Sequence, residues 1–353
     1  MSLNSLHNWY HQNKRDLPWR HTQDPYFIWL SEVILQQTRV DQGLNYYLKF
    51  TTYFPTVFDL AAASQEQVLK LWQGLGYYSR ARNMHETAKL VVSNFEGVFP
   101  DHSATLLKLK GIGPYTAAAI ASFSYNEPVA VVDGNVFRVL SRLFEVSVPI
   151  NSTEGKQVFM QIASDFLDKS RPAIHNQAIM ELGALVCKPQ NPLCAECPVR
   201  IICKSYASGN FLNYPVKLKK LKVRNRYFHY LFIQFQDQIQ IKERQKGDIW
   251  EGLFDLPMIE DTTILDDIAV LDKIKMSYPE FDGMSFSIQR KLDMKHILTH
   301  QRIYASFFEI VPSKLLTCIQ ESKWVPLNTL KKFPASRLFE KFQETLNLQE
   351  HNF

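Results

Sequence analysis

Four of the five cysteines, Cys187, Cys194, Cys197 and Cys203, fall within seventeen residues in the pattern C-x6-C-x2-C-x5-C. Pro189, Pro192 and Pro198 stiffen the loop between them, so the four thiols can close around one centre. In a reducing compartment such a cluster points to a metal site rather than to disulfides. By ligand type alone, tetrahedral zinc and a [4Fe-4S] cluster are served equally. Lys188, Arg200 and Lys204 lie in or beside the loop and offer positive charge to a polyanion backbone. Cys318 stands apart and reads as a small buried hydrophobe.

A second constellation is Leu109-Lys110-Gly111-Ile112-Gly113-Pro114-Tyr115, followed by an Ala-rich helical run. Gly111 and Gly113 would let a phosphate approach the backbone N–H groups at a helix start. Twenty residues on, Asp133-Gly134-Asn135 opens another helix, where Asp133 is either a simple N-cap or a reactive carboxylate. Taken together, the glycine turn followed by Asp133 resembles the helix-hairpin-helix DNA glycosylase superfamily. The cysteine spacing after Met180-Glu181-Leu182-Gly183-Ala184 resembles the iron-sulfur loop of the endonuclease III and MutY glycosylases. That resemblance implies one [4Fe-4S] cluster on Cys187, Cys194, Cys197 and Cys203, acting mainly as a structural staple.

The segments Leu17-Pro18-Trp19-Arg20, Asp24-Pro25-Tyr26 and Trp29 to Thr38 are similar to those of MutY-type adenine DNA glycosylases. The resemblance makes Glu32 the acid that protonates adenine and Asp133 the nucleophile or stabiliser of an oxocarbenium-like sugar, a division familiar from glycoside hydrolysis. It adds Tyr115 and Asn135 beside the sugar, and Trp19 and Arg20 as walls around the extruded base. Strand-cleaving relatives carry a lysine nucleophile two residues after the second glycine; here that residue is Tyr115, which cannot form a Schiff base. Monofunctional hydrolysis follows, unless Lys108 or Lys110 substitutes. For Glu32 to be protonated near neutrality its pocket must desolvate it.

Acting inside a duplex requires flipping the base and filling the gap. By resemblance Gln37 is the wedge, Thr38 touches the opposite base, and Leu75 and Tyr77, with Arg80 and Arg82, belong to a minor-groove element. From the residues alone, Leu75 and Tyr77 serve equally as core. Trp250 to Pro257 and His296-Ile297-Leu298-Thr299-His300 resemble the C-terminal Nudix-like domain of the family, with Thr299 and His300 in the loop that meets oxidised guanine. His296 and His300 read alternatively as strand-edge residues. No R-E-x-x-E-E helix follows Pro257, so this domain is expected to bind rather than hydrolyse.

The elements that must position these residues divide at a basic stretch. Before it, Pro55 to Leu71, Arg82 to Val92, Tyr115 to Phe123 and Gln157 to Phe166 carry helical periodicity. After it, Tyr227 to Gln234 and Gln238 to Lys242 read as a hairpin, Met284 to Arg290 and Ile303 to Val311 as strands, and Ile264 to Ile274 and Ala335 to Leu346 as helices. The expected fold is therefore a mostly α, bilobal helix-hairpin-helix glycosylase domain with a [4Fe-4S] loop, plus a C-terminal α+β Nudix-like domain. The expected bounds are 1–213 for the first domain, with a six-helix barrel at about 18–125 and a cluster subdomain from 1–17 and 126–213. A basic linker spans 214–225 and the second domain 226–353.

With 353 residues, 46% hydrophobic and a net charge of only +5, the chain is folded and its DNA contacts must come from local clusters. No apolar run of about eighteen residues is present to span a membrane, and Met1 to Arg20, without an apolar core segment, argues against a secretory signal. The reading at this point is a monomeric bacterial cytoplasmic enzyme of base excision repair, nucleoid-associated through DNA. Its substrate is duplex DNA with adenine opposite 8-oxoguanine or guanine. An endonuclease III-like pyrimidine glycosylase and lyase is the rival, opposed by Tyr115 and the second domain.

Overall fold

The computed structural model describes residues 2–218 and 223–350. Lys219, Lys220 and Lys222 of the expected linker lie outside the described residues. The helices up to the linker are α1 (Ser2–Asn13), α2 (Pro25–Ile34), α3 (Val40–Tyr53), α4 (Val57–Ala62), α5 (Gln65–Trp72), α6 (Ser79–Phe95), α7 (Ser103–Leu106), α8 (Pro114–Tyr125), α9 (Gly134–Phe144), α10 (Thr153–Phe166), α11 (Pro172–Leu185) and α12 (Lys204–Ala207). Beyond the linker come β1 (Arg224–Phe235), β2 (Gln238–Glu243), β3 (Phe254–Asp255), β4 (Met258–Asp261), α13 (Asp267–Ser277), β5 (Phe286–Ile297), β6 (Gln301–Pro312), β7 (Lys323–Pro326) and α14 (Arg337–Glu350).

Two compact units emerge: Met1–Ala62 with Asn83–Lys219, and Ala63–Arg82 with Lys220–Phe353. The second unit thus takes in α5 and the turn after it, a segment contiguous in sequence with the first.

Local chemistry explains the helix starts before the linker. Asp24 caps α2 by accepting from the Tyr26 N–H at 2.8 Å, with Pro25 pre-set for the first turn. The apolar stretch from Pro55 to Leu71 is two helices, because Ser64 and Gln67 form a reciprocal capping box that restarts the chain as α5. In α9, Val136, Val139, Leu140 and Leu143 line one face and pack with Leu6 and Tyr10 of α1 and Ile179 and Leu182 of α11. Cys187, Cys197 and Cys203 lie against this core. Helices α9 and α11 approach so closely that a Cβ on Gly183 would stand 2.6 Å from Asn135 Cβ.

In the second unit the sheet order is β3-β2-β1-β6-β5, with β4 also paired to β1 and β7 to β2. The central pair, β1 and β6, is parallel from Arg224 opposite Gln301 to Ile233 opposite Ile310. Alternation along β1 feeds two cores. Phe228, Tyr230 and Phe232 pack with Leu338, Phe339 and Phe342 of α14, while Leu231 and Ile233 pack with Val270 and Ile274 of α13. The β1–β2 hairpin turns at Gln236, whose φ is 55°.

Strand β5 runs to Ile297, well past the expected end at Arg290, because β6 pairs with it throughout despite its charged residues; a bulge absorbs the irregularity between Arg290 and Leu292. Strand β1 begins at Arg224, inside the expected linker. The reading of Cys318 as buried does not hold, since that residue is exposed. Among the described residues, no helix is long and apolar enough to cross a membrane.

Candidate active site

The first unit holds a cavity of about 680 Å³, lined by residues that are far apart in sequence. Trp19, Arg20, Glu32, Gln37, Thr38, Gly111, Gly113, Tyr115, Asp133 and Asn135 all face it. Its size is that of a small-molecule site, with room for a nucleobase and its sugar. Leu75, Tyr77, Thr299 and His300 belong to the other unit.

Glu32 comes from α2, where its neighbours Ile28, Trp29, Leu30 and Val33 are all buried and draw the carboxyl inside with them. Only 7% of Glu32 is exposed. Burial pushes its pKa up to about 7; Asp133 adds to the rise, while the Tyr115 hydrogen bond and Arg20 work against it. The Tyr115 hydroxyl donates to Glu32 Oε2. Tyr115 itself is held neutral, its pKa raised well above 10.0 by burial and by both carboxylates.

Asp133 is the N-cap that the sequence allowed, and it faces the cavity as well. Its Oδ1 caps α9 by accepting from the Val136 N–H at 2.7 Å, and its Oδ2 accepts from Asn135 Nδ2 at 2.7 Å. Burial raises its pKa, opposed by those hydrogen bonds and by Arg138. Gly113 is the N-cap of α8, and Pro114 in its first turn aims Tyr115 at the cavity. Gly111 has φ 77°, a left-handed geometry, and a Cβ there would meet Asn83 Cβ at 2.5 Å. Lys108 and Lys110 are exposed and lie outside the cavity lining, Lys110 being paired with Glu86.

Several residues here escaped the sequence reading. Glu181, 1% exposed, accepts from Arg15 and Arg20 at the cavity wall. Its signal was an acidic residue within an apolar helical face, one turn after Gln177, which also lines the cavity. Arg138 donates to Asn135 Oδ1 at 2.8 Å, to Gly183 O at 2.8 Å and to Cys187 O at 2.7 Å. Asp133, Asn135, Arg138 and the cysteine loop are therefore one hydrogen-bonded chain.

Cys187, Cys194, Cys197 and Cys203 line a single small cavity with Arg142. Arg142 is 3% exposed and fastens the loop by donating to Lys188 O at 2.7 Å, Pro189 O at 3.1 Å and Cys187 Sγ at 3.4 Å. Burial, with the other three thiols, pushes Cys197 up to about 12. Four thiolates so placed need positive charge between them, which is the donor chemistry of a thiophilic metal centre. Among the described residues, no group of three or more His, Cys, Asp or Glu converges as the shell of a single metal ion.

In the second unit, Tyr77 has φ 47° and is 44% exposed, and its hydroxyl is 2.5 Å from Thr299 Oγ1. The two candidate lesion-reading elements, 222 positions apart in sequence at this contact, therefore touch. Thr299 and His300 form an exposed turn closed by the Leu298 N–H to Gln301 O bond of 2.8 Å. Leu75 is buried, at odds with a side chain already presented to DNA. His296 is half-buried and meets the Trp250 ring edge-on at 5.6 Å.

A helical unit whose glycine turn and two carboxylates, Glu32 and Asp133, share one cavity, followed by a unit built on a mixed sheet, is the architecture that the comparisons with known proteins identify. Residues 30–162 match the model of the HhH-GPD superfamily base excision DNA repair proteins, and residues 229–345 that of the NUDIX domain. An adenine DNA glycosylase of Buchnera aphidicola (Baizongia pistaciae) is 34% identical over 331 residues, 91% of this chain and 90% of its own. The human adenine DNA glycosylase is 47% identical over 210 residues, 57% of this chain and 38% of its own. A thermostable thymine-DNA glycosylase structure is 27% identical with a TM-score of 0.54, covering 58% of this chain and 95% of that one. An endonuclease III–DNA complex, 21% identical with a TM-score of 0.51 over 59% of this chain and 94% of that one, shares the fold. The chain belongs to the adenine DNA glycosylase family and is an enzyme of base excision repair.

Proposed function

We propose that the enzyme hydrolyses the N-glycosidic bond of adenine opposite 8-oxoguanine, or opposite guanine, after flipping the adenine into the first-unit cavity. One observation carries this reading: Glu32 and Asp133 line the same cavity, with the Tyr115 hydroxyl on Glu32. Glu32, held near neutral pKa by burial, has a proton to give the departing base, converting an anionic leaving group into a neutral one. Asp133, fixed by the Val136 N–H and by Asn135, offers its charge to the oxocarbenium-like sugar. Trp19 and Arg20 wall the base, Gln37 fills the gap it leaves, Thr38 meets the opposite base, and Gly111 and Gly113 receive a phosphate. Among the described residues the position two after Gly113 that faces the cavity is Tyr115 rather than a lysine, which supports hydrolysis without strand cleavage.

Cys187, Cys194, Cys197 and Cys203 would hold one [4Fe-4S] cluster, supplying a structural staple rather than a reaction step. The four thiols line one shared cavity, and the resemblance of their spacing to the iron-sulfur loop supports the cluster over zinc. Tyr77, Thr299 and His300 are assigned to recognition of the lesion strand, with the buried Leu75 supporting the turn that carries Tyr77, and the Nudix-like unit to binding without hydrolysis. The protein works as a monomer on duplex DNA in the cytoplasm.

The test is incubation with duplexes carrying adenine opposite 8-oxoguanine, or an oxidised pyrimidine, with and without alkali. Cleavage of the adenine strand only after alkali supports the reading. Alkali-independent nicking at the pyrimidine would replace it with an endonuclease III-like glycosylase and lyase.

A further inference from the structure

Glu181 lines the same cavity as Glu32 yet takes no part in the chemistry above. Its Oε1 accepts from the Arg15 backbone N–H at 2.9 Å, from Arg15 Nε at 3.0 Å and from Arg20 Nη1 at 2.9 Å. Its Oε2 accepts from Arg15 Nη2 at 2.7 Å and Arg20 Nη2 at 2.6 Å. Arg20 Nη1 also donates to Arg15 O at 2.8 Å, so both guanidiniums are locked to one carboxylate. We infer that Glu181 is a positioning residue: it holds Arg20 and Arg15 on the cavity wall and offsets part of the charge that Arg20 imposes on Glu32. The inference rests on the reading of Glu32 as the acid.

The groups bearing on Glu32 are the Tyr115 hydroxyl from α8, Asp133 at the start of α9, and Arg20 from the turn before α2. Of these, Arg20 and the Tyr115 hydroxyl favour the ionised form and would deprive the site of its proton. Behind Arg20 stands Glu181 from α11. Burial pushes the Glu181 carboxyl up, but the hydrogen bonds from Arg20 and Arg15 outweigh it and hold the pKa at about 2. Glu181 is therefore ionised wherever the enzyme works, and its charge opposes that of Arg20. A glutamine in its place keeps one acceptor oxygen but turns an NH2 group toward guanidiniums that have only donors. One guanidinium then loses its partner, and the wall gains one unit of positive charge.

The experiment is the pH dependence of single-turnover adenine release, from a duplex with adenine opposite 8-oxoguanine, for the full-length wild type, E181Q, E181D and E32Q. E181Q is expected to move the basic limb down by about one pH unit, a roughly tenfold loss of rate on that limb. E181D keeps the charge, so its limb is expected to stay in place while its plateau falls. An E181Q limb superimposed on the wild type, at whatever plateau, overturns the inference. Retained activity in E32Q, or a wild-type profile without a basic limb, overturns instead the reading of Glu32. If E181Q gives no folded protein or no measurable rate, R20Q decides: a limb moved upward supports the inference, and an unmoved one refutes it.

Discussion

Replacing Glu32 with glutamine is expected to cost activity and gain stability, in a way that pH exposes. Burial raises the folded pKa of Glu32 from its ordinary 4.5 to about 7. A carboxyl whose folded pKa lies above its unfolded value binds its proton more tightly when folded. The folded state is therefore penalised as pH rises through the window from 4.5 to about 7. At about 1.4 kcal/mol per unit, the shift penalises the ionised folded protein by about 3 kcal/mol above that window and by little below it. The substituted glutamine never ionises and can still accept from Tyr115. Urea unfolding of the DNA-free protein at pH 5 and pH 8 reads the difference. E32Q is expected to be more stable than the wild type at pH 8 by up to about 3 kcal/mol, with the two nearly equal at pH 5. Adenine release by the same variant is expected to fall by about 10²–10⁴-fold through loss of the general acid. A wild-type and an E32Q protein with parallel pH dependences of stability would refute the claim that Glu32 is held protonated by its surroundings.

Tyr115→Phe removes a hydrogen bond that favours ionised Glu32, so the basic limb of the adenine-release profile is expected to move up by about one unit; a downward shift contradicts the assignment. A profile flat from about pH 5 to 8 in the wild type would contradict the Glu32 titration itself. Borohydride is expected to trap no covalent DNA adduct, because Lys108 and Lys110 lie outside the cavity lining; an adduct seen on a denaturing gel would show a lysine nucleophile. Cys197→Ser is expected to lower bound iron and midpoint temperature together, measured by iron assay and thermal melting; full iron retention would remove Cys197 from the ligand set. Thr299→Val breaks the contact with Tyr77 and is expected to narrow the preference for 8-oxoguanine over guanine by about fivefold, about 1 kcal/mol; an unchanged ratio of rates on the two duplexes would detach this pair from lesion reading.

Much of the fold was legible because it is written in local chemistry. Asp24 and Pro25 start α2, Gly113 and Pro114 start α8, Asp133 starts α9, and the apolar run of β1 announces a strand. The cysteine spacing likewise pointed to a shared centre before any packing was known. Less legible were features settled by distant partners. Strand β5 reaches Ile297 only because β6 pairs with it along its length, and α5 ends up with the second unit through packing that its own residues do not encode. Sequence by itself singled out the side chains to which the chemistry is assigned here: Glu32, Asp133, Tyr115, Asn135 and the four cysteines. Only the tertiary structure decided their state. Whether a carboxyl is protonated depends on what excludes water from it, and whether an arginine's charge is felt depends on its partner. For Glu32 and Arg20, the Tyr115 hydroxyl and the Glu181 carboxylate come from helices 83 and 161 residues away, brought together by the helix packing of a single compact unit.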